Sequence, residues 1–271
     1  MPSPSTLAPA AAPATPLEAI LRRDRSIVAV GLVGVTLLAW GYLLSMAAGM
    51  SQMDMGADMA MPRVGPWTAL NLVLLFVMWA VMMVGMMVPS AAPMVILFAR
   101  VNRQRHERHA PVVPTAAFLG GYLLVWTGFS ALATLLQWGL HTAALLSPMM
   151  VSTSPVLGGA LLVAAGAFQW TPLKRACLVH CRSPLHFFVS EWRDKTAGAL
   201  LMGTRHGVYC VGCCWVLMAL LFVAGVMNLL WVGAIAAFVL IERVVPKGDL
   251  VGRVAGVVLV AAGVAVLARR L

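Results

Sequence analysis

The sequence is short of charge and shorter still of acid. Asp and Glu number nine, and charged residues of all kinds make up only 10% of 271 residues. A water-soluble domain carries roughly 25% charged residues, so a soluble fold is excluded. The alternation of apolar and polar residues over ~10-residue segments that marks a transmembrane barrel is also missing, because the apolar runs here are continuous on both faces. No phosphate-binding Gly-rich loop ending in Lys-Ser or Lys-Thr occurs, which excludes pumping driven by the chain's own ATP hydrolysis. The net charge of +10 does not indicate nucleic acid: the Lys and Arg sit in short gaps between apolar runs, not on one solvated face with aromatics for stacking.

What is present is apolar: 61% hydrophobic residues and a mean hydropathy of +0.91. The expected fold class is an all-α, polytopic transmembrane bundle of six to seven spans, at about 27–49, 67–99, 112–138, 154–171, 207–227, 229–245 and 250–268, each near the ~20 residues a crossing takes. The run from Trp67 to Ala99 is too long for one straight crossing, and Pro89 and Pro93 should break or kink it near its second end. Residues 1–26 form an N-terminal tail, rich in Ala, Pro, Ser and Thr up to residue 17, and are expected to be disordered and cytoplasmic. With the N-terminus inside, sixteen of the nineteen Lys and Arg fall on the cytoplasmic side, leaving Arg63, Arg269 and Arg270 outside. The positive-inside rule therefore gives a multi-pass protein of a bacterial inner membrane, with the lipid bilayer as its surroundings. Gly252-x-x-x-Gly256 and Gly158, Gly159 and Gly166 are small residues of the kind that let helices approach closely in lipid.

All five cysteines, Cys177, Cys181, Cys210, Cys213 and Cys214, and three of six histidines, His180, His186 and His206, fall in one stretch. On this topology the stretch is the inner loop between the fourth and fifth spans and the first turns of the fifth. Disulfides are rare in a reducing cytosol, so these thiols read as metal ligands or redox groups. Thr171-Pro172 reads as a helix start, with Thr as N-cap and Pro at the first helical position. A short helix from there to about Ser183 sets Cys177, His180 and Cys181 on one side. Cys210, Cys213 and Cys214 repeat the spacing of three and four, with His206 one turn earlier. Pairs of soft ligands on two helical faces are the parts from which thiolate or thiolate/imidazole sites are built.

Methionine is the second anomaly, with 18 residues. The outer loop Met50-Ser51-Gln52-Met53-Asp54-Met55-Gly56-Ala57-Asp58-Met59-Ala60-Met61 is mostly Met and Asp. Within the second span Met78, Met82 and Met86 form one stripe and Met83, Met87 and Met94 another. Thioethers suit soft ions such as Cu(I). Pro89 frees the carbonyl of Gly85 where the methionines cluster, and Met86 and Met87 lie at a depth similar to that of Cys213 and Cys214.

Three motifs in order, Trp79-x-x-Met82-Met83-x-x-Met86-Met87-x-Pro89-Ser90-Ala91-Ala92-Pro93-Met94, Phe168-Gln169-x-Thr171-Pro172-Leu173-Lys174-x-x-Cys177-x-x-x-Cys181-Arg182-x-Pro184 and Gly203-x-x-His206-Gly207-x-Tyr209-Cys210-x-Gly212-Cys213-Cys214-Trp215, resemble a bacterial family of integral membrane proteins of unknown function described as metal-binding. The resemblance spans about residues 67–248 and implies an inner-membrane protein with metal ligands, without a substrate or reaction. The expected function is soft-metal binding, with copper favoured and zinc as the second choice. The ion would be handled between the outer Met loop and an inner site of Cys177, His180, Cys181, His206, Cys210, Cys213 and Cys214, with Met82, Met83, Met86 and Met87 between them. A metallochaperone or a partner membrane subunit would be the protein partner, and nucleic acid is not one. Two other classes fit the same residues: a membrane thiol-redox protein, and a non-catalytic assembly subunit of a membrane complex.

Overall fold

The computed structural model describes residues 16–56, 68–106, 114–143 and 154–269, and no strand occurs among them. The helices are α1 (Pro16–Gly56), α2 (Ala69–His106), α3 (Thr115–Thr142), α4 (Pro155–Phe168), α5 (Pro172–Arg182), α6 (Pro184–Glu191), α7 (Lys195–Ala219), α8 (Leu221–Ala224), α9 (Leu229–Val244) and α10 (Gly248–Ala268). The all-α bundle is thus as the composition requires. Among the described residues five segments are long and apolar enough to cross a membrane: Ser26–Gly49, Ala69–Arg105, Thr115–Thr142, Lys195–Ala224 and Gly248–Ala268. α4 and α5, bent by 62° between them, are long and apolar enough together to be a sixth span broken in the middle or a re-entrant loop. α9, at 16 residues, is short of the ~20 that a straight crossing takes.

Local chemistry explains the bend. Ser154 and Thr171 each accept from the backbone N–H three residues on, Leu157 and Lys174, at 3.3 Å, and each is followed by Pro at the first helical position. Thr171 Oγ1 also donates to the Phe168 carbonyl at 2.8 Å. One hydroxyl therefore closes α4 and opens α5.

The prolines of α2 do not break it. Pro89 has no N–H for the Gly85 carbonyl, and Trp40 Nε1 of α1 takes that place at 3.2 Å. Re-satisfying the freed acceptor from a neighbouring helix lets Pro89 and Pro93 sit inside a continuous helix. α1 runs helically through Met50, Met53 and Met55 to Gly56, so half of the expected outer Met loop extends this helix. Asp58, Met59 and Met61 lie outside the described residues.

Close backbone contacts hold the bundle. A Cβ on Gly203 would collide with the Phe118 carbonyl, so α3 and α7 can lie together only with glycine there. Across α4 and α10, a Cβ on Gly166 would stand 2.6 Å from the Gly256 carbonyl oxygen, the small-residue packing expected of those positions. Between α6 and α7, Asp194 accepts from Trp192 Nε1 and from Arg105 Nη2, both at 3.0 Å. The indole first, then the guanidinium, hold its carboxyl below the usual carboxylate range.

Candidate metal centre

α7 starts at Lys195, twelve residues before the apolar run at 207–227, because Ala199, Met202 and Gly203 are buried and extend its packed face. Cys210, Cys213 and Cys214 therefore sit in the middle of a long helix instead of its first turns, all buried. Their spacing of three and four points them to one side, where Cys213 Sγ and Cys214 Sγ bond the Cys210 carbonyl at 3.1 and 2.9 Å. From α5, Cys181 packs against the buried cluster that holds Cys213. Cys177 lies over Gly212, where a Cβ would come within 2.7 Å of its sulfur. All five cysteines are free.

The centre of this cluster is filled by a side chain from α9. Arg243, buried, brings Nη2 to 3.0 Å from Cys210 Sγ, 3.3 Å from Cys213 Sγ and 3.9 Å from Cys214 Sγ. Its Nη1 donates to Ser90 Oγ of α2 at 2.7 Å, while its Nε has no partner. Tyr122 of α3 completes the shell. Its hydroxyl donates to the Met87 carbonyl at 3.1 Å and stands 3.1 Å from Cys210 Sγ, where either group can be the donor. The methionine helix and the cysteine helix meet through it.

Met82, Met83, Met86 and Met87 are no more than 1% exposed and share one buried cluster with Cys210, Cys213 and Cys214; Met78 and Met218 belong to it as well. Met94 packs instead in a second, aromatic cluster with Phe98 and Phe118.

The histidines divide. His206, one turn before Cys210, is buried, ringed by Tyr122 at 5.5 Å, Phe187 at 5.8 Å and Phe118 at 6.1 Å, and neither ring nitrogen has a hydrogen-bond partner. Buried polar groups in native proteins are almost always paired, so this imidazole is an exception, with a donor and an acceptor nitrogen both unused by the protein. His180 turns to Tyr209, stacked at 4.2 Å, and its Nδ1 bonds the Ala176 carbonyl at 2.8 Å. With Nδ1 donating, the neutral ring keeps its lone pair on Nε2. His186 is exposed on α6.

A second buried polar group stands behind the first. Lys174 Nζ pairs with Glu242 Oε1 at 2.6 Å, each 2% exposed, and donates to Gln169 Oε1. Glu242 reaches into space that a Cβ on Gly252 would occupy. The adjacent pair Glu242 and Arg243 does not form a local ion pair or reach for an interface, as neighbouring charges at a helix end suggest. Glu242 goes to α5 and Arg243 to the thiols. Arg243, Tyr122, Ser90 and Lys174 belong to the site and were not picked out by spacing rules. The motifs contain Ser90 and Lys174 without giving them a role, and for Arg243 the available signal was the cost of charge at the end of an apolar run.

Among the described residues no group of three His, Cys, Asp or Glu side chains is arranged to hold a metal ion as it stands; the guanidinium occupies that place. The donor set nevertheless fits a soft ion: several thiols meet on a buried monocation, with an unpartnered imidazole one turn away. Soft thiolate and thioether ligands select Cu(I).

Fold and site together define a helical bundle of membrane-spanning dimensions with a buried thiol centre. The chain belongs to the copper chaperone family PpoB2, whose family model it matches over residues 76–266. No curated protein and no solved structure matches it. The matched range holds all five cysteines, Met78 to Met94, Tyr122, His206 and Arg243, and leaves out α1. Membership makes copper handling the function class. It supports copper as the ion and gives no support to zinc.

Proposed function

We propose that this protein is a membrane copper carrier that holds Cu(I) on Cys181, Cys210, Cys213 and Cys214, with Cys177, His180 and His206 beside them as further donors. The observation that carries the proposal is the convergence of three thiols of α7, Cys210, Cys213 and Cys214, on one buried cation, with Cys177 and Cys181 of α5 packed against the same cluster. Copper would arrive along Met82, Met83, Met86 and Met87 and pass to the thiols, from softer-than-water thioethers to tighter thiolates. Tyr122 supports this route, since it touches the Met87 backbone and the Cys210 sulfur at once.

A bilayer setting is supported by the exterior of the bundle. Leu38, Leu132, Leu230 and Val258 are all more than 60% exposed, and large apolar exteriors mark surfaces that water does not face. The distribution of Lys and Arg supports a bacterial inner membrane with the N-terminus and the thiol end on the cytoplasmic side, where thiols stay reduced. A metallochaperone or a membrane subunit would then exchange copper with the protein at one of its two ends.

The test is elemental analysis of protein purified from membranes under reducing conditions. Changing Cys177, Cys181, Cys210, Cys213 and Cys214 to Ser is expected to remove the bound copper. Unchanged copper stoichiometry in that variant would overturn the proposal.

A further inference from the structure

We propose that Arg243 is a built-in stand-in for the cargo: its guanidinium holds the thiol centre while copper is away, and it must swing out for Cu(I) to enter. This rests on the copper reading above. Nη2 lies 3.0, 3.3 and 3.9 Å from the sulfurs of Cys210, Cys213 and Cys214. It therefore occupies the space among those sulfurs that a shared ion would take. Guanidinium and Cu(I) cannot both stand there.

The chemistry suits an exchange. A guanidinium is always charged and offers donors in a rigid fork, so it can neutralise and satisfy a buried cluster of sulfurs that would otherwise lack partners. Cu(I) carries the same single charge. Replacing one monocation by the other keeps a single positive charge beside the sulfurs, while the protons that Cys213 and Cys214 give to the Cys210 carbonyl leave to solvent as Cu–S bonds form. Arg243 stands in the last turn of α9, whose final residue is Val244. Its long side chain can withdraw toward that helix end, as Arg near the ends of apolar helices does. Apart from the sulfurs, the inward position is latched chiefly by Ser90 Oγ at 2.7 Å, with the Cys210 carbonyl at 3.5 Å, and Nε has no partner to give up when the side chain leaves.

The consequence is a carrier that competes with its own cargo. Each copper bound displaces charge-assisted hydrogen bonds, and each copper released restores them, so Arg243 weakens retention and speeds hand-over. A side chain that merely supported the fold would have the opposite effect when removed, since a damaged site binds less.

The experiment is a Cu(I) competition titration of the full-length protein in detergent against a coloured Cu(I) chelator, bicinchoninate, with the rate of copper release recorded in parallel. Arg243→Gln keeps a polar group for Ser90 and removes the charge. It is expected to hold Cu(I) about tenfold more tightly than the unaltered protein, or more, and to release it correspondingly more slowly. Equal or weaker binding by R243Q overturns the inference. Should R243Q not fold, Ser90→Ala loosens the latch while leaving every sulfur in place. Its expected effect is a several-fold tightening, and an unshifted affinity overturns the inference in that case. If the unaltered protein takes up no Cu(I) at all, the copper reading itself has failed, and that outcome is distinct from a failure at Arg243.

Discussion

Replacing Lys174 by Met is expected to destabilise the protein by about 3–5 kcal/mol, the cost of breaking a buried ion pair by removing one partner. Lys174 and Glu242 are each 2% exposed and 2.6 Å apart. Without the ammonium, the Glu242 carboxyl would be left without its partner between α5, α9 and the glycine face of α10, where it must either stay charged out of water or take up a proton, and both cost stability. The pair itself contributes far less than this, because both charges lost their hydration on burial. The double variant K174M/E242M should therefore recover most of the loss. Thermal unfolding in detergent, followed by helical circular dichroism, checks both statements. A single variant that melts within a degree or two of the unaltered protein would show the pair to be solvated.

Gly203→Leu is the second large effect. The α3 and α7 backbones touch where Gly203 meets the Phe118 carbonyl and Gly121 meets that of Leu200. Here the obstruction is main chain, which cannot rotate away as a side-chain tip can, so the cost lies at the upper end of overpacking, about 3 kcal/mol. The consequence reaches the site. Tyr122 is one turn from Phe118 on α3, and Cys210 is two turns from Gly203 on α7, so separating the helices pulls the phenol from the sulfur. G203L is expected to yield little folded protein, and what folds should show faster alkylation of Cys210. A variant with unaltered yield and alkylation would mean that the helices do not pack as described.

Much of this was legible in the sequence, for physical reasons that differ by element. The start of α5 could be read from Thr171-Pro172, because an N-cap and its proline act within one turn. Burial of Met82, Met83, Met86 and Met87 follows from their spacing on one helix. The local thiol pairs follow the same rule. What joins them was not legible. Arg243 lies 29 residues beyond Cys214 and reaches the thiols only because α9 packs on α2 and α7. Helical periodicity says which side a residue faces, but not which partner waits there. Pro89 illustrates the same limit: the missing hydrogen bond could be foreseen, whereas its replacement by Trp40 from another helix could not. The start of α7 was set late because hydropathy stops at Arg205 and His206, although the helix continues through them with His206 enclosed by aromatic rings.

Two features of the site make sense together once the family is known. A copper chaperone must bind its ion and also surrender it, and a thiol cluster alone tends to retain Cu(I). Arg243 and Tyr122 give the sulfurs alternative partners inside the same apolar shell, so that the metal-free state is a satisfied one. His206 is the exception, an imidazole with no hydrogen-bond partner for either nitrogen; on the copper reading proposed above it is a further donor beside the thiols.

The central claim is that copper sits on the sulfurs of α5 and α7. X-ray absorption at the copper edge of the Cu(I)-loaded protein tests it most directly. The account predicts a first shell made up mainly of sulfur, lost when Cys210, Cys213 and Cys214 are changed together to Ser. A shell of nitrogen and oxygen in the unaltered protein, or a sulfur shell that survives that triple change, would contradict it.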